Sequence, residues 1–160
     1  MKSPFMEDAE VKFGSGRLSL SEIDAFFRTM PYELDYINAD EEYVYYSPND
    51  RDDERLQKRL NHNFLGCHPK RVIPMVRKVV QMLRSGEKDV VESPQIINGH
   101  RTLIRYYAIR RPIGEFLGVL EVTEDVEHIC KMAEEHVYEH GIVEGQIVDG
   151  VSSASINENK

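Results

Sequence analysis

The sequence predicts an α+β domain whose strands pair antiparallel. Three observations point that way. Ile23, Phe26, Phe27 and Met30 recur at helical spacing; from Tyr32 the apolar period drops to two; and Asn98-Gly99 sits between two strand-like runs. A chain of 160 residues suffices for one domain with a real core and is too short for two comfortable ones.

Residues 1–16 read as a flexible polar segment, with Gly14-Ser15-Gly16 as a joint. Ser19-Leu20-Ser21-Glu22 fits a capping box, in which the Ser19 hydroxyl and the Glu22 carboxylate satisfy free amides at a helix start. Pro31 ends that helix by removing a donor and restricting Met30. Tyr32, Leu34 and Tyr36 then alternate with Glu33 and Asp35, as in a half-buried strand. Asn38-Ala39-Asp40 supplies a turn into a second strand, Tyr43 to Tyr46, and Ser47-Pro48-Asn49-Asp50 breaks it. Leu56, Leu60 and Phe64 mark a short polar helix.

A longer helix is expected from Val72 to Leu83, with Ile73, Val76, Val79, Val80 and Leu83 inward and Pro74 tolerated in its first turn. Ser85-Gly86 stops it. Two strands, Val90 to Ile97 and Arg101 to Arg110, flank Asn98-Gly99, because a type I′ turn needs positive φ at both positions. A last strand runs from Phe116 to Thr123, and an acidic helix follows. Beyond Gly141 the composition is that of a polar tail. The expected division is 1–16, 17–129 and 130–160.

Composition excludes several classes of function. No apolar run approaches the roughly 18 residues that span a bilayer, and residues 1–11 lack the apolar core of a secretory signal, so the chain reads as cytoplasmic. A net charge of −8 argues against nucleic acid and against an anionic membrane surface. Cys67 and Cys130 form neither a disulfide framework nor a zinc signature.

Four segments carry a family resemblance. They are Met30-Pro31-Tyr32-Glu33-Leu34-Asp35-Tyr36-Ile37-Asn38, then Tyr43-Val44-Tyr45-Tyr46-Ser47, then Gly66-Cys67-His68-Pro69, and last Ile104 to Arg110 followed by Gly118-Val119-Leu120-Glu121-Val122-Thr123-Glu124-Asp125. Taken together, residues from about Leu18 to Ile129 resemble a PAS domain, of the variety found in bacterial proteins beside hemerythrin-like domains. The resemblance implies a five-stranded antiparallel sheet with helices packed across one face, an N-terminal cap helix and a C-terminal helix. It also implies a cavity able to hold a ligand, and association through the flanking helices as a homodimer. No kinase, cyclase or hemerythrin segment is expected, so output passes to a regulatory protein or through self-association.

Candidate site residues follow from side-chain chemistry. Cys67-His68-Pro69 combines a thiol with an imidazole able to ligate haem iron or a metal, but the favoured reading is structural, the histidine bonding backbone while the proline opens a helix. Haem-binding PAS domains generally carry the axial histidine on the long helix, which has none here. His62 adds a loose third ligand, and His136 with His140 a possible chelating pair, but no metal site is assigned. Tyr36, Tyr45 and Tyr106 lie on strands and could line a semi-polar pocket with Arg105 and Arg110 as an anion clamp; sheet packing with a dimer contact accounts for the tyrosines as well, and alternation puts Arg105 opposite Tyr106, which suits arginines on the outer face. No phosphate loop, nucleophile elbow or metalloprotease motif occurs. Asp35 or Glu121 could be proposed as a buried base, but strand alternation accounts for both, and no enzyme is expected. The primary expectation is a sensory or regulatory module binding a small molecule or partner. The alternatives are a ligand-free assembly domain and a haem sensor using His68.

Overall fold

A computed structural model describes residues 9–48 and 53–140 of the chain. Expectations about residues 1–8, about Asn49 and Asp50, and about the tail after His140 lie outside the described residues.

Strands β1 (Glu10–Phe13) and β2 (Gly16–Ser19) form a hairpin around Gly14-Ser15, where the sequence suggested only a joint. The polar–apolar alternation of Glu10-Val11-Lys12 is the signal for it. Helix α1 (Leu20–Thr29) begins with the expected capping box. The Ser19 hydroxyl accepts from the Glu22 amide at 3.2 Å, and the Glu22 carboxylate accepts from the Ser19 amide at 2.7 Å. That backbone bond holds the Glu22 carboxyl below its ordinary range. Met30, extended ahead of Pro31, closes the helix.

The main sheet contains β3 (Glu33–Asn38), β4 (Tyr43–Tyr46), β5 (Val90–Ile97), β6 (His100–Arg110) and β7 (Phe116–Asp125), in the order β4-β3-β7-β6-β5 and antiparallel throughout. This is the arrangement that the resemblance implied. Asn38 closes the β3–β4 turn by accepting on its side-chain oxygen from the amides of Asp40 and Glu42. Asn98 and Gly99, at φ 50° and 83°, make the β5–β6 turn with the expected positive values. β7 runs two residues beyond Thr123, because Asp125 still pairs with Thr102.

Between β4 and β5 the chain forms α2 (Asp53–Gln57), two 3-10 turns (Phe64–Cys67 and Lys70–Val72) and α3 (Ile73–Ser85). Leu56 and Phe64 join Ile37 and Tyr43 in the core on this inner face of the sheet, with Val76 and Val80 packed against them. Gly86, at φ 81°, ends α3. The Arg110 guanidinium then donates to the Leu83 carbonyl. Arg84 and Arg110 both lie over the Phe116 ring, at 5.1 and 5.4 Å, so the C-terminal end of α3 is tied to the start of β7.

α1 belongs to the outer face. Phe27 meets Tyr45 with ring centroids 5.7 Å apart, while Phe26 is 55% exposed and no residue of the helix is fully buried. The expected greasy stripe is therefore only partly covered.

The chain divides after Asp125 into a second unit, within which α4 (Glu127–Glu134) and α5 (Val137–His140) are separated by His136 at φ 57°. His136 therefore lies on neither helix. Among the described residues no helix is long and apolar enough to cross a membrane.

Gly118 fixes how β7 meets β3. Its φ is 154°, and a Cβ there would lie 2.2 Å from the Ile37 carbonyl oxygen and 2.7 Å from the Tyr36 hydroxyl. The Tyr36 hydroxyl occupies that gap and donates to the Leu117 carbonyl at 2.7 Å. Gly118→Ala is expected to cost at least about 2 kcal/mol through backbone strain and displacement of β3. A drop in the urea midpoint of unfolding checks it.

Candidate functional site

Strand register places the site. Asp35 pairs with Tyr46 and Glu121, Glu121 with Tyr106, and Tyr106 with Val91, so these residues form one row across all five strands. Adjacent strands point paired residues to the same side, and here that side is the inner face. The next row holds Ile37 and Val119. α3 presents Val76, Val79 and Val80 over this surface, and the turn at Phe64–Cys67 closes one side.

The space between is a cavity of about 210 Å³, mostly apolar, with Met75 of α3 and Gln95 of β5 at its rim. A smaller chamber of about 100 Å³ shares Ile37, Phe64, His68 and Glu121 with it and adds Asp35, Tyr43, Arg59 and Cys67. The larger chamber is walled mainly by hydrocarbon, with His68, Ser93, Tyr106 and Glu121 at its polar boundary; the smaller one is the more polar.

Local structure fixes each polar group. His68 caps the Phe64–Cys67 turn, and its Nδ1 lies 3.0 Å from the Phe64 carbonyl oxygen. A carbonyl only accepts, so Nδ1 carries a proton and donates it. The ring also stands edge-on to Phe64 at 5.9 Å. The backbone bond expected for this histidine is present, and Pro69 leads into the Lys70–Val72 turn before α3. The half-buried Cys67 thiol borders the polar chamber. Asp35 is only 7% exposed and accepts a hydrogen bond from the Tyr43 hydroxyl. Burial pushes the Tyr106 phenol well above its ordinary value, and the negative charge of Glu121 adds to the shift.

Of the residues singled out from sequence, the structure brings Cys67, His68 and Tyr106 to the cavity. Tyr36 and Tyr45 are paired with each other on the outer face, with Tyr36 against Gly118 and Tyr45 against Phe27, so the sheet separates them from it. Burial raises the phenol of each. Arg105 and Arg110 do not form an anion clamp there. Arg105 bonds Glu124 at 2.9 Å and Glu92 at 3.2 Å, and Arg110 holds the end of α3. His62 is exposed, with its ring 3.2 Å from the Asn61 carbonyl oxygen. Among the described residues no three histidine, cysteine or carboxylate side chains converge as a metal would require.

Asp35 and Glu121 require a correction. Alternation with Leu34 and Tyr36 suggested an outward Asp35, yet both carboxylates face the cavity. β3 is an interior strand on which Leu34 and Asp35, facing opposite sides, are both buried, so an apolar residue need not mark the inner side. The available signal was the hairpin at Asn98-Gly99, which fixes the β5–β6 register and puts Tyr106 beside Val91.

With the geometry established, comparison with other proteins decides the family. The PAS domain sequence profile matches residues 23–127, about two thirds of the chain. The chain belongs to the PAS domain family. A solved C-terminal domain from Streptococcus mutans is 28% identical, with a TM-score of 0.73 over 79% of this chain and 98% of that one. The PAS domain of a Colwellia psychrerythraea protein matches in fold at 8% identity and TM-score 0.50, covering 68% of this chain and 98% of its own. A phage VqmA–DPO complex matches at 13% identity and TM-score 0.53, covering 76% and 59%. No curated protein matches.

The raised Tyr106 phenol predicts a pH dependence. Its folded pKa lies above the ordinary value of 10.0, so its contribution to stability is complete below pH 10 and is lost as pH rises toward the folded pKa. Wild type is expected to lose stability more steeply than Tyr106→Phe above pH 10, as measured by urea unfolding across an alkaline series.

Proposed function

We propose that this PAS domain is a sensory module whose inner cavity takes a small molecule and whose last strand carries the consequence outward. The observation that carries the reading is where the cavity sits. Its polar boundary includes Glu121 of β7, four residues before that strand ends at Asp125, and α4 begins at Glu127. A ligand bearing on Glu121 therefore acts on the strand continuous with the second unit. For a signal, the ligand must prefer one arrangement of β7 over another, because equal affinity for both shifts nothing. The apolar walls, with a few polar groups at one end, are what a small-molecule site generally offers.

The cytoplasmic location and the haem alternative at His68 belong to this proposal too, and the ligand and haem readings are open to one experiment. Native mass spectrometry of gently purified protein is expected to show a bound small mass, lost in Val79→Phe, where the added ring fills the cavity. An absorbance spectrum of the same sample with a Soret band that His68→Ala removes would establish haem instead. Wild type emerging without any bound mass, and unchanged by Val79→Phe in its exchange with cell extract, would overturn the ligand reading.

A second reading, assembly as a homodimer, is favoured by α1. A ten-residue helix with no buried side chain and a 55% exposed Phe26 stands on the sheet with apolar surface to spare. Phe26→Ser is expected to shift the population toward monomer in sedimentation velocity with little change in thermal stability. An unchanged monomer–dimer distribution would remove α1 from the interface.

A further inference from the structure

We infer that the occupant of the cavity is a small uncharged molecule, an apolar body bearing a carbonyl-type acceptor, and that the Tyr106 hydroxyl donates to that acceptor. This rests on the reading of the cavity as a ligand site and adds the chemical class. Three observations support it.

The first is which polar groups at the site are already engaged. The Tyr43 hydroxyl donates to Asp35, and Glu121 also has a partner within the protein. The Nδ1 proton of His68 goes to the Phe64 carbonyl, and at the rim the Gln95 side-chain amide donates to the Ser93 hydroxyl at 3.1 Å. Tyr106 lines the larger chamber, and its hydroxyl makes no hydrogen bond among the described residues. A phenol set in a mostly apolar wall gains from a partner, and an acceptor on the occupant supplies one. Burial, with the charge of Glu121 adding to it, keeps that phenol protonated well above its ordinary range, so the proton is there to donate.

Charge is the second. An ion moved into a space walled by hydrocarbon loses its hydration and needs a counter-charge. Asp35 and Glu121 are engaged already, so neither stands vacant for a cation. An anion would call on Arg59, and that guanidinium supplies its donors to the smaller chamber, not to the larger. A neutral head meets neither cost.

Size and position complete the argument. The volume of about 210 Å³ lies below the roughly 300–1,000 Å³ of pockets for drug-sized ligands, which suits one ring with a short substituent. Val76, Val79, Val80 and Val119 offer the body hydrocarbon. Tyr106 is registered directly against Glu121 of β7, so the acceptor is taken beside the strand that ends at the second unit.

The test uses the full chain and four probes on one frame: acetophenone, cumene, benzoate and 1-phenylethylamine. They place a carbonyl, a hydrocarbon branch, an anion and a cation at the same point of the ring. Affinities are read at neutral pH from two-dimensional NMR titrations, following resonances of Val79 and Val119. Acetophenone is expected to bind at least about tenfold tighter than either charged probe, a difference of about 1.4 kcal/mol. Its bound carbonyl stretch is expected below the frequency it shows in an alkane solvent. Tyr106→Phe is expected to weaken acetophenone about tenfold and to leave cumene unchanged. A charged probe binding as tightly as the ketone, an unshifted carbonyl stretch, or equal losses for ketone and cumene in a folded Tyr106→Phe would overturn the assignment and leave the cavity reading standing. Failure of acetophenone and cumene alike to move the lining resonances would overturn both. The ranking and the stretch are read in the unmodified protein, so poor folding of the variant leaves the test decisive.

Discussion

The close passage of β7 over β3 at Gly118 is the constraint on which the other features rest. Tyr36 fills the space that a side chain at 118 would need, and its hydroxyl is tied to the neighbouring Leu117 carbonyl. Moving β7 by one residue would bring a Cβ into that space and turn every side chain of the strand to the opposite face. Asp35 and Glu121 stand side by side only in this register, and Tyr106 joins them because β6 is registered on β7 in turn. A contact on the outer face thus determines what lines the cavity on the inner one.

The inner face divides its labour by position along the strands. Near the middle of β7, Val119 meets the valines of α3 and the surface is hydrocarbon. Two residues on, Glu121 and its neighbours Asp35 and Tyr43 turn the same surface polar. Burying Asp35 requires a partner, which the Tyr43 hydroxyl provides within the same pair of strands. His68 is held to the preceding turn and not to the sheet, so the wall it forms is independent of strand register.

Much of this was legible in the sequence, and the reason differs by element. The Ser19–Glu22 box, Pro31, Gly86 and Asn98-Gly99 each act through backbone chemistry within a few residues, so local reading suffices. The strand order followed from the resemblance, since no local pattern specifies which strands pair. The direction of side chains on β3 was not legible, because a strand covered on both faces has no polar side to reveal its orientation. Tyr36 and Tyr45 were grouped with Tyr106 on composition alone; pairing separates them. The β1–β2 hairpin was missed because Gly14 and Gly16 suggested looseness, although the alternation of Glu10 to Lys12 signalled a strand. Arg110 illustrates the converse. A guanidinium on a strand suggests anion binding, but here it serves a helix end whose carbonyls lack intrahelical donors.

That helix end also sets where α3 is held most firmly. α3 is held at its C-terminal turn by fully buried Leu83 and by two arginines gathered on Phe116, while its first turn starts without a side-chain cap and leaves Met75 at the rim. A rod fastened at one end gives way at the other. Local opening of the helix is therefore expected to begin around Ile73 and Pro74, at the rim of the cavity, without unfolding of the domain.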